Sequence, residues 1–477
     1  MKSPLRLGAG IASLVLVLCV APSLVRDPAP TPAPARSTTP TARASIAGMV
    51  PATSVPASFA GGYPRTTLPP APESCAGLPA RVTTFSFPLL PRAGDPVRIV
   101  AVSREQLAPF IAEVSGRGAT AKLEPADQWG PGPYAWEFQA PALDEGEHSV
   151  TLRDPVTAAI LGCSTIDIAP SGGARERVAE SDEVWPVRRA WTGALEDLYS
   201  VWVARLFRTA GDSRGRWHRL HAVFRDPERN VLFGALGWNE DDAGTPEAPR
   251  PTAVRARADC GDLPYVLRAY FAWKLELPFR FQRCNRRNAL QGAECYEERS
   301  NLTDRYRGRE DPVDRFNRFL ETWVTVGVHS ATPRTLPEDD TSDFYPIEMT
   351  RTALRPGTVY VWPYGHLVVI TDWVEDDVGG VTLVAVDGHI DGTVTFKRFS
   401  PKNFPYLPGL RTFGFKTFRP VVYAEGEIRS VDNAGLSASD APLILSEEQY
   451  RFRRSNDFYR AVWHVSGLFP YDRSPDS

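Results

Sequence analysis

The chain reads as an α+β protein in which a small all-β domain precedes a larger domain of helices packed on an antiparallel sheet. Three observations predict this. Short alternating apolar runs, such as VTTFSF, PVRIVAVS, AWEFQAP, HSVTLRD and AAILGCSTIDI, crowd residues 75–172 between turn residues. Further on, WTGALEDLYSVWVARLF and LPYVLRAYFAWKLEL carry apolar residues at helical spacing. Finally, TVYVWPYGHLVVITDW and VTLVAVDGH read as strands joined by short turns, which makes their pairing antiparallel. At 477 residues there is room for two or three domains, and 43% apolar residues with twelve Trp supply their cores. A formal charge of −3 gives no electrostatic reason to expect nucleic acid as a partner.

Taken in order, residues 1–26 form an export signal or membrane anchor. Lys2 and Arg6 make a basic start, Leu7 to Val25 carry no charge, and Arg26–Asp27 close the stretch. A lipoprotein reading would use Cys19, although Leu18 stands where such signals carry a small residue. Each version places the remainder outside the cytoplasm: secreted, periplasmic or in the cell envelope, with a membrane tether if the segment is retained. Residues 27–74 are dominated by Pro, Ala and Thr and read as a disordered spacer that gives the folded part reach. Residues 75–172 then read as a small immunoglobulin-like β-sandwich.

Five cysteines follow the leader, at 75, 163, 260, 284 and 295, in a compartment that permits disulfides. Cys75 and Cys163 bracket the sandwich, and Cys284 and Cys295 bracket the polar loop CNRRNALQGAEC, so these are the expected bridges. Cys260 is left as a thiol. Residues 180–425 form the larger domain, opening with a helix that puts Trp191, Leu195, Leu198, Trp202 and Leu206 on one face. Residues 426–477 contain a polar helical extension whose role stays open.

The surroundings of Cys260 give the thiol a chemical reading. Leu263, Val266, Leu267, Tyr270, Phe271 and Leu275 mark a buried helix, and Pro264 in its first turn pins the start close to Cys260, so this helix is expected to bear the cysteine and pack on the antiparallel sheet. Unpaired N–H groups and the positive end of a helix favour the thiolate, the attacking form. They would also serve as an oxyanion hole. The carboxylates of Asp259 and Asp262 oppose that, so a base is needed. Of seven histidines, His366 is set apart by its place between two strands in RPGTVYVWPYGHLVVI. Asp372 lies six residues along the same strand, roughly 20 Å away, too far to orient it. Folding the chain about a tip near Asp376–Gly379 sets His366 opposite residue 387 or 389, on one face. Asp387 and His389 are therefore the candidate partners, and Asp387 is preferred because a carboxylate stabilises imidazolium more strongly.

Asp259–Cys260 before an apolar helix ending at Leu277–Pro278, then Pro356–Gly357 and Gly365–His366 in two strands, resembles the NlpC-like and CHAP-like peptidases of the papain-like fold. The resemblance covers residues 255–400. It implies a cysteine peptidase or amidase with Cys260 as nucleophile and His366 as general base. Departures are Gly261 in place of the usual Ser, Thr358 in place of the Asp after Pro-Gly, and a Cys-to-His interval of 106 residues that implies an insertion. Transglutaminase-like domains are similar in the same order of elements, so hydrolysis and acyl transfer both stay open, as does a non-catalytic binding or structural protein that keeps the fold. For an exported bacterial enzyme the implied substrate is a peptide of the cell wall. No metal or nucleotide motif occurs in the sequence, so no cofactor is expected.

Overall fold

The computed structural model describes Cys75 and residues 80–172, 182–209, 215–245, 247–250, 252–306, 311–375, 381–438 and 443–466. The leader over 1–26 and the spacer over 27–74 lie outside the described residues. What is described is α+β, with its sheets built from antiparallel pairs.

The N-terminal part has eight strands: β1 (Thr83–Phe87), β2 (Arg98–Ser103), β3 (Ile111–Gly116), β4 (Ala119–Leu123), β5 (Pro125–Trp129), β6 (Tyr134–Gln139), β7 (Gly146–Arg153) and β8 (Ile160–Ile168). They form two four-stranded sheets in the orders β1-β2-β6-β5 and β4-β3-β7-β8. Their inward faces enclose a core of Val97, Ile99, Ala101, Phe138, Leu152 and Ile166. Cys75 is bonded to Cys163 of β8. Strand β2 explains why RIVAVS is apolar without alternation. Ile99 and Ala101 fill the sandwich, whereas Val100 and Val102 on the other face join the larger core. The sheet is therefore covered on both sides. Strands β4 and β5 are mostly exposed, so they carry no apolar alternation for sequence analysis to find.

The larger part continues with α1 (Gly193–Leu206), β9 (Arg216–Trp217), α2 (Leu220–Phe224), α3 (Leu263–Lys274), β10 (Arg280–Cys284) and β11 (Cys295–Ser300). Next come α4 (Pro312–Phe319), a π-helical turn over Leu320–Val324, α5 (Thr325–Gly327), β12 (Phe344–Pro346), β13 (Val359–Val361), β14 (Leu367–Glu375) and β15 (Val381–Gly388). The chain ends with β16 (Val394–Arg398), β17 (Gly414–Phe418), β18 (Val421–Ala424), β19 (Glu427–Ser430), α6 (Asn433–Ala438) and α7 (Ser455–Val465). Seven strands form one antiparallel sheet, β12-β17-β13-β14-β15-β16-β9. Hairpin β10–β11 is closed by the disulfide Cys284–Cys295.

Helix α1 begins at Gly193, capped by Thr192, whose Oγ1 accepts from Leu195 N at 3.3 Å. Trp191 thus precedes the helix, and its ring stacks on Phe271 at 5.6 Å. Helix α3 is the centre of the packing, with every one of its residues buried. Tyr265 meets Phe344 and Phe418 at sheet positions, Tyr270 stacks on Trp202, and Trp273 stacks on Phe316 at 4.2 Å. Burial on all sides carries two cations inward. Arg268 pairs with Glu196, and Lys274 pairs with Glu240 and Asp241 where all three side chains are inaccessible to solvent. The polar C-terminal stretch packs against the sheet. The Gln449 amide accepts from Phe415 N at 2.7 Å and donates to Phe415 O at 2.9 Å, acting as a substitute strand beside β17. Phe458 of α7 stacks on Tyr406 at 4.2 Å inside the core.

Truncating one member of a buried ion cluster leaves the others without counter-charge. Lys274→Met is expected to cost about 3–5 kcal/mol in urea denaturation. Combining it with Glu240→Gln and Asp241→Asn, which keeps their acceptor oxygens, should recover at least half of that loss.

Candidate active site

Cys260 belongs to neither disulfide and is 9% exposed. It sits in a turn ahead of α3, whose first residue is Leu263, so the expectation of a helix bearing the cysteine is corrected to a turn feeding the helix. Asp259 builds this turn. Its Oδ1 accepts from Gly261 N at 2.7 Å and Asp262 N at 3.1 Å, and its carbonyl accepts from Leu263 N at 3.1 Å. The expected oxyanion hole therefore does not arise from these three N–H groups, because Asp259 already engages them all. Asp262 does less to oppose a thiolate than its type suggests. Burial, reinforced by the charge of Asp259, raises its carboxyl to about 8, so it is mostly neutral at pH 7.

The base and its partner are set by the sheet. His366 immediately precedes β14, and Asp387 lies near the end of β15. His366 Nε2 is 3.1 Å from Asp387 Oδ2. The register that produces this contact contains an irregularity. Asp372 pairs with Val384 but Ile370 pairs with Ala385, leaving Thr371 as an extra residue. Since side chains alternate, one inserted residue exchanges the faces of everything beyond it. Without the bulge, His366 and Asp387 would lie on opposite faces.

Asp387 is 2% exposed and is held from several directions. Thr395, directly opposite on β16, donates to Oδ1 at 2.6 Å. His389 Nε2 is 3.3 Å from Oδ1, and Lys397 Nζ is 3.3 Å from Oδ2. Burial alone would raise this carboxyl, but the hydrogen bonds from His366 and Thr395 with the charges of Lys397 and His389 outweigh it. The net shift is downward. An ionised carboxylate only accepts, so Nε2 of His366 carries the proton and Nδ1 keeps the lone pair. His389, the other candidate, bonds Thr395 at 2.9 Å and touches Asp387 from the side. Asp372 bonds the N–H of Trp373 and takes no part.

Close backbone approaches bring the thiol turn to this pair. A Cβ on Gly388 would stand 2.5 Å from Asp259 O, and one on Gly261 would stand 2.5 Å from Ser330 N. Only glycine permits either contact. Ser330 also lies beside Gly365, the residue before His366. Thus the neighbours of Cys260 touch the neighbour of Asp387 directly, and the neighbour of His366 through Ser330. The loop carrying Ser330 is anchored at both ends. His329 Nε2 bonds the carbonyl of Cys284 at 2.8 Å, and the buried Lys416 donates to Pro333 O at 2.8 Å and Thr335 O at 2.7 Å. Arg334 ties Pro363, near His366, to Arg287 of the disulfide loop.

Sequence analysis missed Thr395 and Lys397, although VTFK is an alternating run whose polar residues fall on the Asp387 face once β15 and β16 are paired. It also missed Trp362, whose ring meets His366 edge to face at 4.6 Å. Among the described residues no group of three or more His, Cys, Asp or Glu is arranged to hold a metal ion. Two cavities, of about 810 and 500 Å³, are lined by neither Cys260, His366 nor Asp387.

The raised carboxyl of Asp262 predicts a pH dependence. Between the ordinary carboxyl value of about 4 and the folded value of about 8, the folded state binds the extra proton, so stability falls as pH rises and levels off above. Asp262→Asn should therefore gain stability relative to the parent progressively from pH 5 to pH 8 in denaturant titrations. A scan against protein-family models finds no match for this chain, and a comparison with curated proteins finds none.

Proposed function

We propose that the protein is an exported thiol-dependent amide hydrolase or acyl transferase of the papain-like, NlpC-like kind, acting on cell-wall peptides. The observation that carries this reading is the hydrogen bond of His366 to the buried carboxylate of Asp387, with the thiol turn packed against the residues beside both. A base oriented by a second group and placed near a thiol is the arrangement that nucleophilic acyl chemistry requires.

In this reading Nδ1 of His366 accepts the thiol proton and the sulfur attacks the amide carbonyl. The resulting imidazolium, steadied by Asp387, then protonates the leaving amine. Water, deprotonated by Nδ1, cleaves the thioester; an amine in its place completes transfer instead. Asp387 suits this role because its depressed carboxyl stays ionised throughout. The Thr395 bond keeps it from rotating away. Export agrees with two disulfides, which persist in oxidising compartments. Among the described residues no helix is long and apolar enough to cross a membrane. Cell-wall peptides as substrate rest on the family resemblance and the export reading together.

Peptidoglycan digestion read by mass spectrometry tests the proposal. Wild type should release peptide fragments, or join them, and folded Cys260→Ala should do neither. Asp387→Asn should lower turnover by about 10²–10⁴-fold with little loss of folding, since it fixes the wrong tautomer. His389→Gln should do much less, because His389 reaches Asp387 only from the side. Retained turnover in a folded Cys260→Ala variant would end the thiol reading.

A further inference from the structure

One flank of the site is cationic in a way the proposed reaction does not use. The turn after β15 carries His389 and Gly392, whose N–H donates to His389 O at 2.7 Å. Beside Gly392 stand two arginines from other segments. Its Cβ position lies 3.5 Å from Arg219 Nη1 and 3.9 Å from Arg257 Cγ. Arg257 is exposed and only three residues ahead of Cys260, and Arg219 is half-buried. Among the described residues, neither has a carboxylate within ion-pair distance. A guanidinium group left without a protein carboxylate is available to a carboxylate on a ligand. The same rim is apolar: Ile390 is 78% exposed and Tyr364, two residues before His366, is 71% exposed.

Resting on the thiol reading, we propose that the substrate is a peptide bearing a carboxylate, which Arg219 and Arg257 bind beside the reacting amide. Guanidinium forks match carboxylate geometry, and both arginines flank the turn whose His389 reaches Asp387 at 3.3 Å. Ile390 and Tyr364 would cover an adjoining apolar part of the same peptide.

Alkylation separates this from the reaction itself. Iodoacetamide and iodoacetate both transfer a carbon to sulfur with loss of iodide, but only iodoacetate carries the carboxylate. The rate of each on Cys260 is divided by its rate on free cysteine, and the two quotients are compared. Wild type should favour iodoacetate, and the preference should shrink by about threefold in each of Arg219→Gln and Arg257→Gln and also in high salt. Arg255→Gln, which removes an exposed arginine paired with Glu321 at 3.6 Å, should leave it unchanged and controls for general surface charge. A ratio near one, or one that neither variant moves while iodoacetamide still reacts, overturns the carboxylate subsite alone. No reaction of Cys260 with either reagent overturns the thiol reading and this inference with it.

Discussion

The site depends on one steric allowance: the missing side chain at residue 388. At Gly388 the end of β15 runs against the backbone of Asp259, closer than any Cβ would permit. That contact makes the sheet, which orients the histidine, and the turn, which holds the thiol, one rigid unit. Gly261 repeats the device against Ser330 on the other side of the turn. Two glycines thus do what a linking side chain would do elsewhere, and they leave no soft atoms between the two halves of the candidate site.

Charge is arranged around this contact with the same economy. Asp387 is buried, yet two imidazoles, a hydroxyl and an ammonium keep it ionised. Asp262 is buried without such partners and is pushed toward neutrality. Two carboxyls within one site therefore differ in protonation because their neighbours differ, which in the proposed reaction separates the group that would steady imidazolium from one that would repel a thiolate. Lys416 shows the third case. Burial lowers its ammonium to about 7, and its partners are two carbonyls of the loop that presses on the thiol turn.

Much of this was legible in the sequence for identifiable reasons. The two disulfides follow from cysteines that bracket segments, and the strands around 83–103 and 146–168 follow from apolar runs between turns. His366 and Asp387 were readable because a hairpin tip fixes which residues face each other. What the sequence hid was the bulge at Thr371, which no residue type announces and without which the same hairpin would separate the pair. The oxyanion donors were misread because Asp259, taken as a carboxylate opposing the thiolate, caps its own turn and engages the N–H groups beyond Cys260. The role of the C-terminal stretch stayed open because its key residue is a glutamine. That side chain imitates a strand edge, a role set only by the tertiary position of Phe415.

The proposed chemistry stands or falls on whether His366 activates Cys260. The direct measurement is the rate of Cys260 alkylation by iodoacetamide against pH, in the wild type and in His366→Gln. The account predicts a wild-type profile that rises well below the ordinary thiol value of about 8.5, and a profile displaced toward that value when the imidazole is removed. Identical profiles in the two proteins, both rising near about 8.5, would contradict it.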